Sequence, residues 1–338
     1  MKKFYTLSLI AFSAITMFAQ SIPFTGTGLL TANGWTTHSG ITGQLTILTT
    51  ASDSGNSLSR AGLLASTGNR VSIIAGNSED VNFPLTAPIT GTFYYSVLVK
   101  VLDSGNLNVN TAIGDYFFGT TSVASATTTT FQARIYVKQG ATATTFSVGV
   151  LNNSGGTAAP SYSATDLPLN TTNLLVVKYD LATNTASLFV NPTAGAVEPT
   201  ATATNATGTT AAPAQIAGVV IRQAFNTATT IGTGNIEIDE IKTGTTFAAV
   251  TPASLSVNQN AIAGLSIYPN PVKGGVLYID TQANSTKNVA VFDVLGKQVI
   301  NVSTASNAVN VSGLTDGVYI VKITENGNTA TRKLVINN

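Results

Sequence analysis

Phe93-Tyr94-Tyr95-Ser96-Val97-Leu98-Val99-Lys100-Val101 is the stretch from which the fold can be read. In an extended chain successive side chains point to opposite faces. Phe93, Tyr95, Val97, Val99 and Val101 therefore share one face, and Tyr94, Ser96, Leu98 and Lys100 the other. Phe131, Ala133, Ile135 and Val137 alternate in the same way with Gln132, Arg134, Tyr136 and Lys138, and Phe146, Val148 and Val150 continue the pattern. The same period predicts strands over 71–75, 116–119, 174–179, 187–190, 216–222 and 236–242. No stretch carries the apolar period of a helix, and the abundant Thr and Val, branched at Cβ, favour strands. Many short strands punctuated by Gly, Asn, Pro and Ser predict an all-β chain built as an antiparallel sandwich. A membrane-spanning barrel needs repeated strands of about ten residues with aromatic girdles. Here the runs are short and polar loops such as 193–213 interrupt them.

Composition narrows the function classes. Only 9% of the 338 residues are charged, and sixteen basic side chains nearly cancel fifteen acidic ones. Average usage is about 25% charged. That balance excludes a polybasic nucleic-acid binder. There is no cysteine and a single histidine, His38, which excludes thiol catalysis, zinc–thiolate centres and sites built from several histidines.

The first twenty residues read as a secretory signal: Lys2 and Lys3, an apolar run over 4–18, then Ala19-Gln20 as the cleavage region. No later segment has the length of apolar chain that crosses a bilayer, so no transmembrane segment is expected in the mature chain. Around 251–263 (TPASLSVNQNAIA) the alternation lapses into a polar linker. Residues 21–250 carry eight Lys or Arg against eleven Asp or Glu, and residues 251–338 six against four. The expected organisation is a signal at 1–20, a passenger at 21–250, a linker at 251–263 and a C-terminal module at 264–338.

In that module strands are predicted over 276–280, 289–294, 298–302, 308–311, 318–324 and 332–336. Leu295-Gly296-Lys297 forms a tight turn and Asn326-Gly327 a two-residue hairpin. About seven strands in so short a segment make a small immunoglobulin-like sandwich. Four blocks stand in order: Leu265-Ser266-Ile267-Tyr268-Pro269-Asn270-Pro271; Val289 to Val299 with Asp293, Gly296 and Lys297; Leu314 to Ile323 with Gly317, Tyr319 and Lys322; and Lys333-Leu334-Val335-Ile336. Together they resemble the type A C-terminal sorting domain of the bacterial type IX secretion system. The resemblance implies export through the periplasm of a Gram-negative bacterium and across its outer membrane, with the type IX machinery as partner. It also implies a passenger that is released or attached to surface lipopolysaccharide.

In the passenger, the segments 34–40, 76–82 and 236–247 resemble laminin-G-like, concanavalin-type jelly rolls. That family implies two stacked antiparallel sheets with adjacent terminal strands. It includes carbohydrate-binding, adhesive and calcium-binding modules and some glycosidases. Glycosidases of this fold commonly carry Glu-x-Asp-x-x-Glu on one strand. Glu237-x-Asp239-Glu240 approaches that spacing but lacks the final glutamate. Glu79 and Asp80 are adjacent and point apart on a strand, and His38 has no Gly-x-Ser-x-Gly elbow to serve. No catalytic constellation emerges, and no cofactor is required. Calcium is the one plausible ion, because it takes carboxylate and carbonyl oxygens. The related folds point to Glu79, Asp80 and Asp239 as its ligands, while Asp53-Ser54-Gly55-Asn56 and Asp103-Ser104-Gly105-Asn106 read as Asx turns. Surface glycans would need aromatic platforms with polar neighbours, for which Trp35, His38 and Tyr136 are the candidates, with Tyr94 and Tyr162 as further rings. A sandwich also buries tryptophans, so Trp35 reads as core before it reads as a platform. Three readings stay open: a non-catalytic module for glycan binding or adhesion, a divergent polysaccharide hydrolase, and a structural coat protein.

Overall fold

A computed structural model describes residues 19–195, 197–254 and 262–337. The expected signal segment up to residue 18, and linker residues 255–261, lie outside the described residues. The chain divides into two compact units, the first ending at Ser254. Among the described residues no helix is long and apolar enough to cross a membrane.

The first unit is a sandwich of two antiparallel sheets. Thr92–Val101 lies in the middle of the first sheet. It pairs on one side with Asn173–Asp180, followed outward by Thr185–Val190 and Ala203–Asn205. On the other side it pairs with Ile236–Gly244, followed by Arg70–Ile73, Thr46–Leu48 and Gly28–Leu29. The second sheet runs Ser161–Tyr162, Thr145–Leu151, Gln132–Gln139, Asp115–Thr121, Ile216–Ile221, Asp80–Ile89 and Thr36–Ser39. At the centre of each sheet the neighbours are distant in sequence, Thr92–Val101 beside Ile236–Gly244 and Asp115–Thr121 beside Ile216–Ile221, the mark of a jelly-roll path. Ala19–Ile22 pairs with the far end of Ile236–Gly244, Ala19 opposite Gly244, so the first and last strands of the unit are adjacent.

The alternation read from the sequence sets the core. Phe93, Tyr95, Val97, Val99 and Val101 are buried between the sheets with Ile135, Val137, Phe146, Val148 and Val150. Full burial of such side chains contributes roughly 1.5–3 kcal/mol each. The opposite face of the first sheet is covered as well. Tyr94, Leu98, Leu174, Val176 and Phe189 pack there under Leu58, Phe247 and Val250.

That cover changes the reading of the acidic strand. Ile236, Ile238 and Ile241 enter the core, and a bulge at Glu240 (φ 49°) inserts the extra residue between Asp239 and Ile241. Glu237 and Asp239 do face away from the core, but they are 7% and 0% exposed rather than solvated. The loop over 49–68 lies on them. Arg70 Nε sits 2.8 Å from Glu237 Oε1, and its Nη1 donates to the carbonyls of Thr50 and Asn56. The Nε contact is short but bent away from hydrogen-bond alignment, so it is an ion pair rather than an aligned hydrogen bond. Leu58 N donates to Asp239 Oδ2 (2.8 Å) and Thr67 N to Glu240 Oε1 (2.7 Å).

The second unit has one sheet of Ser266–Tyr268, Val276–Asp280 and Ala308–Asn310, and another of Gln298–Thr304, Lys287–Phe292, Gly317–Glu325 and Asn328–Ile336. Its own core contains Val272, Leu277, Ile279, Val289, Val291, Val321, Ile323 and Leu334. Asn326 and Gly327, at φ 49° and 80°, close a two-residue hairpin between Glu325 and Asn328, as Asn-Gly predicts.

Candidate functional site

The outer face of the second sheet carries a row of rings. Along Gln132–Gln139, Ile135 and Val137 enter the core, so Arg134, Tyr136 and Lys138 face outward. Tyr116 lies opposite Tyr136 across the neighbouring strand, with ring centroids 5.8 Å apart. Phe131 continues the row 6.1 Å from Tyr116, and His38 stands 5.2 Å from Phe131. The Arg134 guanidinium lies over both Tyr116 (5.3 Å) and Tyr136 (5.8 Å), and Arg222 lies over Tyr116 at 4.5 Å. Lys138 Nζ sits 4.2 Å above the Tyr162 ring.

Small residues open this surface. Gly149 stands opposite Tyr136, and a Cβ there would press on the Tyr162 ring at 3.0 Å. A Cβ at Gly119 would meet Arg134 Cγ at 3.1 Å. His38, Tyr116, Phe131, Arg134, Lys138, Tyr162 and Arg222 are all half-buried, and Tyr136 is 8% exposed.

Protonation follows from burial. Desolvation pushes the Tyr116 phenol up to about 12 and also raises Tyr136 and Tyr162. At neutral pH these phenols keep their protons and serve as hydrogen-bonding platforms. Burial lowers His38, whose Nδ1 lies 3.1 Å from Asn82 Nδ2.

Of the ring candidates named from sequence, the structure brings His38 and Tyr136 together on this face and leaves Trp35 elsewhere. Trp35 is 4% exposed, stacked on Phe24 (6.0 Å) and tilted against Phe83 (5.2 Å). It follows the short 3-10 turn Leu30–Asn33, which directs its indole into the core. Tyr94 is buried under the covering loop and donates to Glu198. Phe131, which the alternation assigns to the core face, lies on the outer face instead, because the backbone turns through φ 47° at Ala133 and breaks the period there. Tyr116 and Arg222 have no signal of their own in the sequence. The outward alternation of Arg134, Tyr136 and Lys138 was the available signal.

The three carboxylates offered as calcium ligands are separated. Glu79 Oε2 accepts from Gln44 N (2.6 Å) and Leu45 N (2.7 Å), and Oε1 accepts from the Thr37 hydroxyl (2.7 Å). Burial raises its carboxyl, but these donors outweigh burial and hold it below the usual range. Asp80 accepts from Ser39 Oγ (2.9 Å) and Gln223 N (3.0 Å), and burial leaves it raised despite them. Asp239 belongs to the first sheet. Burial pushes it up to about 7 against the two amides, of Leu58 and Glu240, that favour its ionised form. Among the described residues no three His, Asp or Glu side chains gather as a metal site requires. Asp103 Oδ1 accepts from Gly105 N, an Asx turn, while Asp53 pairs with Lys100 at 2.9 Å.

In the second unit the motif residues build turns and ties. Asp293 Oδ1 accepts from both Leu295 N and Lys297 N at 2.9 Å, and Gly296 takes φ 84°. Asn270 donates to the Lys333 carbonyl and accepts from Val335 N, each at 2.9 Å, which ties the first block to the fourth. The Tyr268–Pro269 and Asn270–Pro271 peptides are cis. Tyr319 is buried and its hydroxyl donates to the Thr315 carbonyl at 2.9 Å, just before Gly317. Lys297, Lys322 and Lys333 are exposed. Residues 266–337 match the family described as the secretion system C-terminal sorting domain. This segment is a sorting domain. It marks the chain for export.

No curated protein sequence matches the chain. Among solved structures, the alginate lyase Aly36B is similar at 13% identity and a TM-score of 0.38, over 67% of this chain and 96% of that one. The VIP36 exoplasmic/lumenal domain is similar at 14% identity and a TM-score of 0.33, over 55% and 82%. A legume lectin-like domain from Entamoeba histolytica is similar at 10% and 0.32, over 54% and 86%. At such scores none of them lends a ligand or a reaction to the unit that precedes the sorting domain.

Proposed function

We propose that the protein is carried through the periplasm of a Gram-negative bacterium and delivered to its surface or medium by the type IX machinery, and that its passenger is a non-catalytic glycan-binding module. The observation that carries the binding reading is the row His38, Phe131, Tyr116 and Tyr136 on the outer face of one sheet. Tyr136 is buried and supports the row, while the half-buried Tyr116, Phe131 and His38 rings offer their remaining apolar area to sugars, and the guanidinium groups lying over Tyr116 take the hydroxyls. A glycan array probed with the full chain tests it. Tyr116→Ala is expected to weaken binding of the captured glycan about tenfold, the equivalent of roughly 1.4 kcal/mol. Calorimetry gives the value, and binding unchanged in Tyr116→Ala and Tyr136→Ala alike would remove this face from the reading.

The non-catalytic part rests on the carboxylates. Glu237 faces Arg70, and Asp239 accepts backbone amides beneath a loop, so neither is presented to a bound sugar. The same array ligands are expected to come back uncleaved after incubation. Reducing-end release by the wild type that the Tyr116→Ala chain lacks would turn the site into an enzyme's.

Calcium is not needed on this reading. Glu79 and Asp239 already accept backbone N–H groups, and among the described residues no third carboxylate gathers with either to supply the six to eight oxygens the ion seeks. Excess chelator is therefore expected to leave the passenger's melting curve in place, since only a ligand bound to the native state raises it. A fall in melting temperature restored by calcium would contradict this.

A further inference from the structure

We propose that the ring face takes an acidic glycan, and that Arg134 recognises its carboxylate or sulfate group. This deepens the glycan-binding reading above and rests on it. Three cations line the face, and they are not equivalent. Arg222 is already neutralised, with Asp115 at 3.1 Å and Asp80 at 4.0 Å. Arg134 has no carboxylate within ion-pair distance among the described residues, and its Nε is buried with no acceptor. Its guanidinium is held on the faces of Tyr116 and Tyr136. A half-buried guanidinium lacking an anion is costly, and an arriving carboxylate or sulfate supplies charge-assisted hydrogen bonds that water and neutral hydroxyls do not match.

Lys138 repeats the arrangement. It too has no carboxylate partner among the described residues; its Nζ rests over the Tyr162 ring and donates to the Ala112 carbonyl at 3.3 Å. Arg134, Tyr136 and Lys138 share one side of one strand, which sets the Cα atoms of Arg134 and Lys138 about 13 Å apart along it. The spacing suits a polymer carrying an anion on more than one sugar, with the rings between them under the uncharged part.

The test titrates the full chain with polygalacturonate, dextran sulfate and uncharged dextran. The wild type is expected to prefer one or both anionic polymers about tenfold or more, as expected for hydrogen bonds to a charged group. Which of the two binds tighter identifies the anion as carboxylate or sulfate. Arg134→Gln is expected to remove most of that preference, while Arg134→Lys, which keeps the charge without the fork, retains part of it. Lys273→Gln, an equal charge loss at an exposed position of the sorting domain, is expected to change nothing. Should Arg134→Gln fail to fold, the wild type's preference and its loss with rising salt decide the matter. Dextran bound as tightly as the anionic polymers, or a preference intact in Arg134→Gln, would overturn the acidic-ligand inference and leave glycan binding standing. Absence of binding to every glycan on the array would instead overturn the reading beneath it.

Discussion

Deleting residues 264–338 is expected to abolish delivery of the chain to the cell surface in a host with the type IX machinery, leaving a soluble passenger in the periplasm. The physical basis is separateness. The sorting domain closes its own core from seven strands, and the passenger closes another between its two larger sheets. The motif residues within the tail have structural work of their own: Asp293 and Gly296 shape a turn, Asn270 ties the first block to the last strand, and Tyr319 fixes the chain before Gly317. Most of what remains exposed, including Lys297, Lys322 and Lys333, is available for recognition. Fusing 264–338 to an unrelated periplasmic protein should carry that protein outward. Cell fractionation with protease shaving measures both. Normal surface amounts of the truncated chain would contradict the export reading, whatever the family of the tail.

Glu237→Ala is expected to cost the passenger about 3–5 kcal/mol, the usual consequence of leaving one member of a buried ion pair alone. Glu237 and Arg70 are 7% and 5% exposed, and Arg70 also holds the covering loop through the carbonyls of Thr50 and Asn56. The loss should therefore include loosening of residues 49–68 over the first sheet. Replacing both partners together, Arg70→Met with Glu237→Leu, should recover the part of the loss that comes from a stranded charge, while the carbonyls of Thr50 and Asn56 still lose their donor. Denaturant unfolding followed by tryptophan emission isolates the passenger, since Trp35 is the sole tryptophan and sits in the passenger core. A single variant within about 1 kcal/mol of wild type would show the pair to be no stronger than an exposed one. The result also bears on function: lost binding or activity in Glu237→Ala would report unfolding before it reported chemistry.

Much of this protein is legible in its sequence, for a local reason. Period-two alternation is a property of a single strand, so the core faces of 93–101, 133–137 and 146–150 could be assigned before any partner strand was known; Phe131 departs because the positive φ at Ala133 shifts the period. The hairpin at Asn326-Gly327 and the turn at Gly296 depend on backbone angles that their own residues prefer. The four tail blocks likewise stand at fixed places in one chain. The candidate site is different, because it is made by sheet order. Tyr116 meets Tyr136, and Arg222 reaches Tyr116, only because Asp115–Thr121 lies between Gln132–Gln139 and Ile216–Ile221. No spacing along the chain encodes those neighbours.

The acidic strand makes the same point from the other side. Alternation correctly sends Glu237 and Asp239 away from the core, but whether such a face is solvent, cleft or cover is not a local property. The loop over 49–68 closes on it and makes these outward carboxylates anchors for Arg70 and for the amide of Leu58. Trp35 joins the core for a related reason, since Phe24 and Phe83 arrive from separate parts of the chain to enclose it. The sequence by itself determined the strands, the faces they turn inward and the sorting tail, all of which rest on short-range periodicity and turn chemistry. Only the tertiary structure decided which outward faces stay open, because that depends on which distant segment comes to lie over them.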